Sequence, residues 1–201
     1  MTKRTDIASM RPEAFFHIDE KVDNFTKIAD VSSELIYGIN QEKNSPWMTV
    51  VIPTYNRKEL FYQTLQSVLS QENVPYPWEI IVVDNTPLDE SGSTPALSVI
   101  KELAAKNVKL YHNRKNLGSG YNWNRAVELA RGEWVCFLHD DDVLCRDALQ
   151  QIGRLLNTKR NSKRKLGYLS ARKVEFQNKF GLRLSTEFPR QPQEVLTRFG
   201  V

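Results

Sequence analysis

From Met48 to Leu156 the chain alternates two patterns. Short unbroken apolar runs give way to stretches whose apolar residues recur at helical spacing. "MTVVI", Met48 to Ile52, is a continuous β-branched run, the pattern of a strand buried on both faces, and Pro53 stops it. Leu60, Phe61, Leu65, Val68 and Leu69 then mark one face of a helix. "EIIVV", Glu79 to Val83, predicts a second buried strand, and Ala96, Leu97, Ile100, Leu103 and Ala104 a second helix. "VKLYH", Val108 to His112, is a third strand, followed by a helix with Trp123, Ala126, Val127 and Ala130 on its apolar face. "GEWVCFL", Gly132 to Leu138, is a fourth strand, read as buried. Leu144, Ala148, Leu149, Ile152, Leu155 and Leu156 mark a fourth helix.

Strands alternating with helices across short loops predict an α/β fold with a parallel, doubly wound sheet. Residues 1–46 read as an N-terminal extension that ends in the turn-like "KNSPW". In it "VSSELIYGI" predicts a helix turning into a loop. Residues 47–158 form the core. Residues 159–201 open with a basic run, and "LGYLSARKVEF" offers one or two further strands.

Composition changes this picture little. Of 201 residues 40% are hydrophobic and 26% charged, which is ordinary for a globular chain, and a net charge of +4 is too mild to imply nucleic acid. The basic residues do cluster in "KRNSKRK", Lys159 to Lys165. That run reads either as a solvated loop or as a contact with an anionic partner such as the membrane's inner face. Cys136 and Cys145 show no metal-ligand spacing, which predicts reduced thiols and a cytoplasmic setting. The N-terminus lacks the apolar core of a signal peptide, and no window approaches 18 apolar residues.

Candidate chemistry follows from the fold. Open α/β sheets bind ligands beyond the carboxyl ends of their strands. There the sequence places "PTYNR" (Pro53–Arg57), "DNT" (Asp84–Thr86), "NRKNLGSGYNWN" (Asn113–Asn124) and "HDDD" (His139–Asp142). No Walker-type loop, dinucleotide fingerprint or nucleophile elbow is present. The acidic turn stands out. Two carboxylates about 5 Å apart repel by roughly 3 kcal/mol at an effective dielectric near 20. Solvent, a basic side chain, a helix N-terminus or a bound cation must offset that. One or two carboxylates completed by substrate phosphates and water is a common Mg²⁺ site. A purely structural reading has Asp142 capping a helix that starts near Val143.

"TVVIPTYNR", "EIIVVDN", "NLGSGYNWNRAVELARGEW" and "FLHDDDVL" occur in the order and spacing of family 2 glycosyltransferases with the GT-A fold, which residues 48–157 resemble. The resemblance implies a Rossmann-like sandwich, a mostly parallel central sheet with helices on both faces. It implies transfer of a sugar, with inversion, from a nucleotide-diphosphate sugar to a saccharide or lipid-linked acceptor. By the same resemblance Pro53, Thr54, Tyr55, Arg57 and Asn85 line the nucleotide and Asp84 reads its base, as in a UDP- or dTDP-type donor. Gly118 and Asn124 line the donor site, and Asp140 faces ribose or metal. Asp141 and Asp142 hold Mg²⁺ or Mn²⁺.

The chain departs from the family pattern in three places. "NTP" follows Asp84 where the family often has a second acidic residue and Gly-Ser, Trp123 stands where an Arg is usual, and His139 opens the acidic motif. The family's catalytic base is a carboxylate in a later acceptor-binding region. Here only Glu175, Glu187 and Glu194 are available, with Glu175 the candidate because it follows the last strand pattern. The sequence therefore supports two readings, a transferase and a nucleotide-sugar-binding fragment without transfer.

Overall fold

The computed structural model describes residues 28–39, 45–160, 174–177 and 181–184. The chain divides into two compact units, Met1–Leu155 and Leu156–Val201.

The first unit is built on a five-stranded sheet. In chain order its elements are β1 (Ser33–Tyr37), β2 (Met48–Thr54), α1 (Lys58–Leu69), β3 (Trp78–Asp84), α2 (Pro95–Glu102), β4 (Val108–Asn113), α3 (Ser119–Leu129) and β5 (Trp134–Phe137), and α4 (Ala148–Arg160) begins in it. The strand order is β1-β4-β3-β2-β5. All pairs are parallel except β1 with β4. The expected α/β class, with a mostly parallel sheet, is the one observed.

The connections fix which face each helix covers. β2 to β3 and β3 to β4 step one way along the sheet, and β4 to β5 steps back past β2. Right-handed crossovers then place α1 and α2 on one face and α3 on the other. The packing agrees. Ala126 of α3 joins Val51, Ile81 and Val83 in one cluster. The alternate residues Val50, Ile52, Ile80 and Val82 are equally buried on the opposite face, and α1 and α2 bury Phe61, Leu65, Val68, Leu97 and Ile100. Each such side chain contributes about 1.5–3 kcal/mol by leaving water.

The sequence reading needs five corrections. Pro53 does not stop the first strand, since β2 continues through it to Thr54, paired with Asp84. "VSSELIYGI" is not a helix but contains β1, which covers the open edge of β4. Ser33 Oγ donates to Asn113 Oδ1 at 2.5 Å, Glu34 pairs with Arg114, and the Tyr37 hydroxyl donates to Ala105 O at 3.0 Å. Pairing with β4 thus decides a segment whose local pattern is weak. β5 is a short strand at the sheet edge, only half-buried, with Val135 exposed. α4 starts at Ala148, so Asp142 caps no helix; its amide donates to His139 O at 3.1 Å and closes a turn. On α3 the buried residues are Asn122, Arg125 and Ala126, whereas Trp123 and Val127 are exposed. Arg125 earns its burial by donating to Ile28 O at 2.5 Å and Val31 O at 2.6 Å, which ties the turn before β1 to α3.

Near the amino ends of the strands, Glu79 anchors an ionic cluster. Its Oε1 accepts from Thr49 Oγ1 at 2.9 Å, and its Oε2 accepts from Lys109 Nζ at 3.0 Å and Arg131 Nη2 at 2.7 Å. Burial pushes the Glu79 carboxyl up, but the bonds from Arg131, Lys109 and Thr49 together outweigh it and hold it below the usual range.

In the second unit β6 (Val174–Gln177) and β7 (Gly181–Leu184) form an antiparallel pair, with Glu175 opposite Arg183 in register. Glu187, Glu194 and residues 161–165 of the basic run lie outside the described residues. No helix among the described residues is long and apolar enough to cross a membrane. Both cysteines are free, and burial pushes the Cys136 thiol up to about 11, which keeps it protonated.

Candidate functional site

β2 and β5 are neighbours in the sheet, but the chain leaves β2 and enters β5 by crossovers on opposite faces. Such a switch point leaves a crevice at the carboxyl ends of the strands. A cavity of about 390 Å³ opens there. Pro53, Thr54, Tyr55 and Arg57 line it from the end of β2, Asn85 from β3, and His139 and Asp140 from β5. Asn116, Gly118, Ser119, Asn122 and Trp123 complete the wall from the loop before α3 and its first turns.

The acidic turn is joined directly to β2. Thr54 Oγ1 donates to Asp140 Oδ2 at 2.9 Å. Arg57 Nη1 donates to Asp140 Oδ1 at 3.2 Å and to Asp141 Oδ2 at 2.9 Å. Asp140 is buried, while Arg57 and Asp141 are half-exposed. A basic side chain therefore offsets the repulsion that the sequence raised. Among the described residues no group of three or more His, Cys, Asp or Glu side chains is placed to hold a metal ion. What the turn does offer is two adjacent hard-oxygen donors already seated on one cation, Arg57. That donor set suits a divalent ion whose remaining ligands are phosphate and water.

Beside it, asparagine side chains knit the strand ends together. Asn113 Nδ2 donates to Asn85 Oδ1 at 3.0 Å and to Asn122 Oδ1 at 2.8 Å. Asn85 Nδ2 donates to Asn116 Oδ1 at 2.6 Å, and its Oδ1 also accepts from the Leu117 amide at 3.0 Å. Asn122 Nδ2 donates to Val83 O at 3.1 Å. An amide suits this task because it carries donors and acceptors at once. Gly118 caps α3 with φ of 76°, a left-handed conformation that glycine adopts without strain, and it brings no side-chain oxygen to the cap. The first-turn amides of α3 thus meet the cavity with the positive end of the helix dipole.

Asp84 is placed differently from its neighbours. It is fully buried at the end of β3 and is not on the cavity wall. Oδ1 accepts from the Thr86 amide at 2.8 Å, while Oδ2 is buried without a hydrogen-bond partner. His112 Nε2 stands 2.8 Å from Thr86 O, and Thr86 Oγ1 accepts from the Asn56 amide at 2.8 Å, so the loop around the carboxylate is rigidly held.

Of the residues singled out in the sequence, the cavity wall brings together Pro53, Thr54, Tyr55, Arg57, Asn85, Gly118 and Asp140. It does not include Asp84, Asn124, Asp141 or Asp142. Asn124 is half-buried on α3, two positions beyond the residue that does reach the wall, Asn122. Asn116, Ser119 and Asn122 were not singled out, and Trp123 and His139 were noted only as departures from the family pattern. For Ser119, Asn122 and Trp123 a signal existed, because residues three and four apart in the first turn of a helix share one face.

The sequence model of the family described as Glycosyl transferase family 2 matches residues 49–187. The putative teichuronic acid biosynthesis glycosyltransferase TuaG of Bacillus subtilis is 31% identical over 53% of this chain and 40% of its own length. The putative colanic acid biosynthesis glycosyl transferase WcaA of Escherichia coli is 35% identical over 50% of this chain and 34% of its own. Among solved structures, S. aureus TarS 1-349 in complex with UDP-GlcNAc aligns at 26% identity with a TM-score of 0.47, over 55% of this chain and 31% of that one. The chain spans between about a third and two fifths of the length of such curated relatives.

Proposed function

The chain belongs to glycosyl transferase family 2, and from that premise we propose that residues 47–158 hold a nucleotide-diphosphate sugar for metal-assisted, inverting transfer to a saccharide or lipid-linked acceptor. The observation that carries this reading is the pairing of Asp140 and Asp141 with Arg57 at the rim of the switch-point cavity. It supplies an acidic cation seat beside a polar crevice of ligand size. The relatives named for teichuronic and colanic acid biosynthesis support a polysaccharide product.

Each group has a task that its chemistry suits. The unpartnered Asp84 Oδ2 accepts the imide N–H of a uracil or thymine base, provided the base reaches past the present wall. Tyr55 and Pro53 flank the nucleoside, and Asn116, held by Asn85, offers its amide N–H groups to it. The α3 N-terminus at Gly118 and Ser119 faces the diphosphate with N–H groups. Asp141, with Asp140 or Asp142, would hold Mg²⁺ or Mn²⁺ through carboxylate oxygens. Such an ion, when bound, neutralises charge on the departing diphosphate. Arg57 then leaves the carboxylates and is free to pair with phosphate, a task that a guanidinium fork performs well. The acceptor hydroxyl approaches the anomeric carbon from the side opposite the diphosphate and needs a base. Glu175 on β6 is the candidate within this chain.

A second reading is a donor-binding fragment without transfer. The observation that favours it is that Asp140 is the one carboxylate on the cavity wall among the described residues, and Thr54 and Arg57 already engage it. Release of nucleoside diphosphate from UDP-sugars and dTDP-sugars, with and without saccharide acceptors, separates the two. Acceptor-dependent release with Mn²⁺ supports the transferase, and binding without release supports the fragment. No binding of any donor refutes both.

A further inference from the structure

The donor-site reading leaves one part of the cavity wall without a task. Trp123 lines the cavity and is 41% exposed, although it sits on a helix whose neighbouring residues Asn122, Arg125 and Ala126 are buried. The ring is not loose. Its centroid lies 5.4 Å from that of Phe137 with an interplanar angle of 61°, and 4.8 Å from that of His139 at 77°. Phe137 and His139 are themselves 5.8 Å apart at 65°. The three rings hold one another edge to face, the arrangement that their quadrupoles favour. A large apolar ring fixed in orientation, yet left open to a polar cavity, is the kind of surface that a ligand covers.

Its place in the sheet narrows what that ligand is. Trp123 touches Phe137 of β5 and His139 two residues beyond it, on one side of β2, whereas Asn85 follows β3 on the other side. Adjacent strands are about 4.8 Å apart, so the two ends of the wall stand roughly 10 Å from each other. The amides at the β3 end suit a planar base with hydrogen-bonding edges. Arg57, which follows β2 between the two ends, suits charged phosphates, as does the start of α3, which lies against Asn85. The remaining part of a nucleotide-sugar donor is the pyranose ring, whose C–H face is apolar and whose rim is polar. That is the one moiety that matches an aromatic face set among polar groups.

We propose that Trp123, held by Phe137 and His139, is the stacking platform for the pyranose of the donor and determines which sugar is accepted. The proposal rests on the donor-site reading. It requires a sugar that presents an unbroken C–H face to the ring, so donors differing only in the orientation of one hydroxyl on that face are told apart.

The test compares nucleoside diphosphates with their sugar conjugates by calorimetry on the full chain with Mn²⁺. The probes are UDP, dTDP and GDP alone, then UDP-glucose, UDP-galactose, UDP-N-acetylglucosamine, dTDP-glucose and GDP-mannose. For the best-bound conjugate, Trp123→Ala is expected to weaken binding by roughly three- to tenfold, the size of an aromatic contact, while shifting its nucleoside diphosphate by less than about twofold. Trp123→Phe recovers most of the loss. Trp123→Leu keeps the apolar bulk without the aromatic face, and it is expected to behave like Trp123→Ala. Equal losses for conjugate and diphosphate mean that the ring stacks on the base, and they overturn the proposal while leaving the donor site intact. No loss for either overturns it too, as does recovery by Trp123→Leu. A parent chain that binds none of the probes overturns the donor site itself and the proposal with it. Thermal melting of each variant separates lost binding from lost fold.

Discussion

Arg57 Nη1 donates to Asp141 Oδ2 at 2.9 Å, across the rim of the cavity. The same nitrogen reaches Asp140 Oδ1 at 3.2 Å, so one guanidinium nitrogen serves both carboxylates. An internal cation thus stands where a divalent ion is proposed to bind. Arg57→Gln should tighten Mn²⁺ binding in the absence of nucleotide, because the ion no longer competes with a guanidinium. The stability cost should be about 1–3 kcal/mol, because water screens the half-exposed pair with Asp141 but buried Asp140 loses a charged partner. Paramagnetic titration with Mn²⁺ reads the affinity directly. An unchanged or weaker Mn²⁺ affinity would contradict a shared seat.

Asp84 should show opposite effects on fold and ligand. Its Oδ2 is buried and unpartnered, which costs about 1–3 kcal/mol or more for a charged group. Asp84→Asn removes that charge, so the melting temperature should hold or rise. The same variant offers N–H where the base also offers N–H, so affinity for UDP should fall by about 1.5–3 kcal/mol, the range for a bond to a charged group. A variant that is both less stable and equally avid for UDP would mean that Asp84 is structural only.

The Glu79 cluster contributes to the acid sensitivity of the fold. The carboxyl is held below its ordinary value of 4.5 in the native state. A depressed native pKa stabilises the fold above the unfolded value, and that contribution fades as pH drops through the native one. Stability should therefore fall below about pH 4.5, and Glu79→Gln should flatten that limb. At neutral pH the variant should cost about 1.5–3 kcal/mol, because Lys109 and Arg131 each lose a charged hydrogen-bond partner. Urea titrations at pH 3.5–7 measure both effects.

Gly153 should tolerate no side chain. A Cβ there would run into the ring of Tyr76, whose hydroxyl donates to Leu149 O. The Tyr76 ring also packs on Trp47 with centroids 4.3 Å apart, which leaves it little room to yield. Gly153→Ala should cost about 1–3 kcal/mol despite the better helix propensity of alanine. Burial pushes the Tyr76 phenol up to about 12, so its ultraviolet ionisation should appear near that pH in the parent and lower in the variant.

What the sequence disclosed follows from where periodicity carries information. β2 and β3 were legible because Met48–Ile52 and Glu79–Val83 are unbroken β-branched runs, and only a sheet covered on both faces needs them. The doubly wound order followed from the alternation with helices. β1 was not legible, because "SELIY" has no strong pattern of its own and becomes a strand through Ser33, Glu34 and Tyr37 bonding to the β4 region. The α3 face was misread for a related reason. A helix seated on strand ends must answer open carbonyls, so Asn122 and Arg125 turn inward and Trp123 outward, against the apolar pattern. The asparagine network has no period at all. Its members come from four segments, and only the folded rim brings Asn85, Asn113, Asn116 and Asn122 into reach.

The most direct measurement of the central claim is calorimetric titration of UDP into parent and Asp141→Ala chains, each with and without Mn²⁺. Asp141 is half-exposed and its one described bond is to Arg57, so the variant should melt within about 1 kcal/mol of the parent. The parent should bind UDP more tightly with Mn²⁺ than without. In Asp141→Ala that metal-dependent gain should vanish while the metal-free affinity stays. A full Mn²⁺-dependent gain in the variant would contradict the account, because the acidic turn would then have no part in holding the donor.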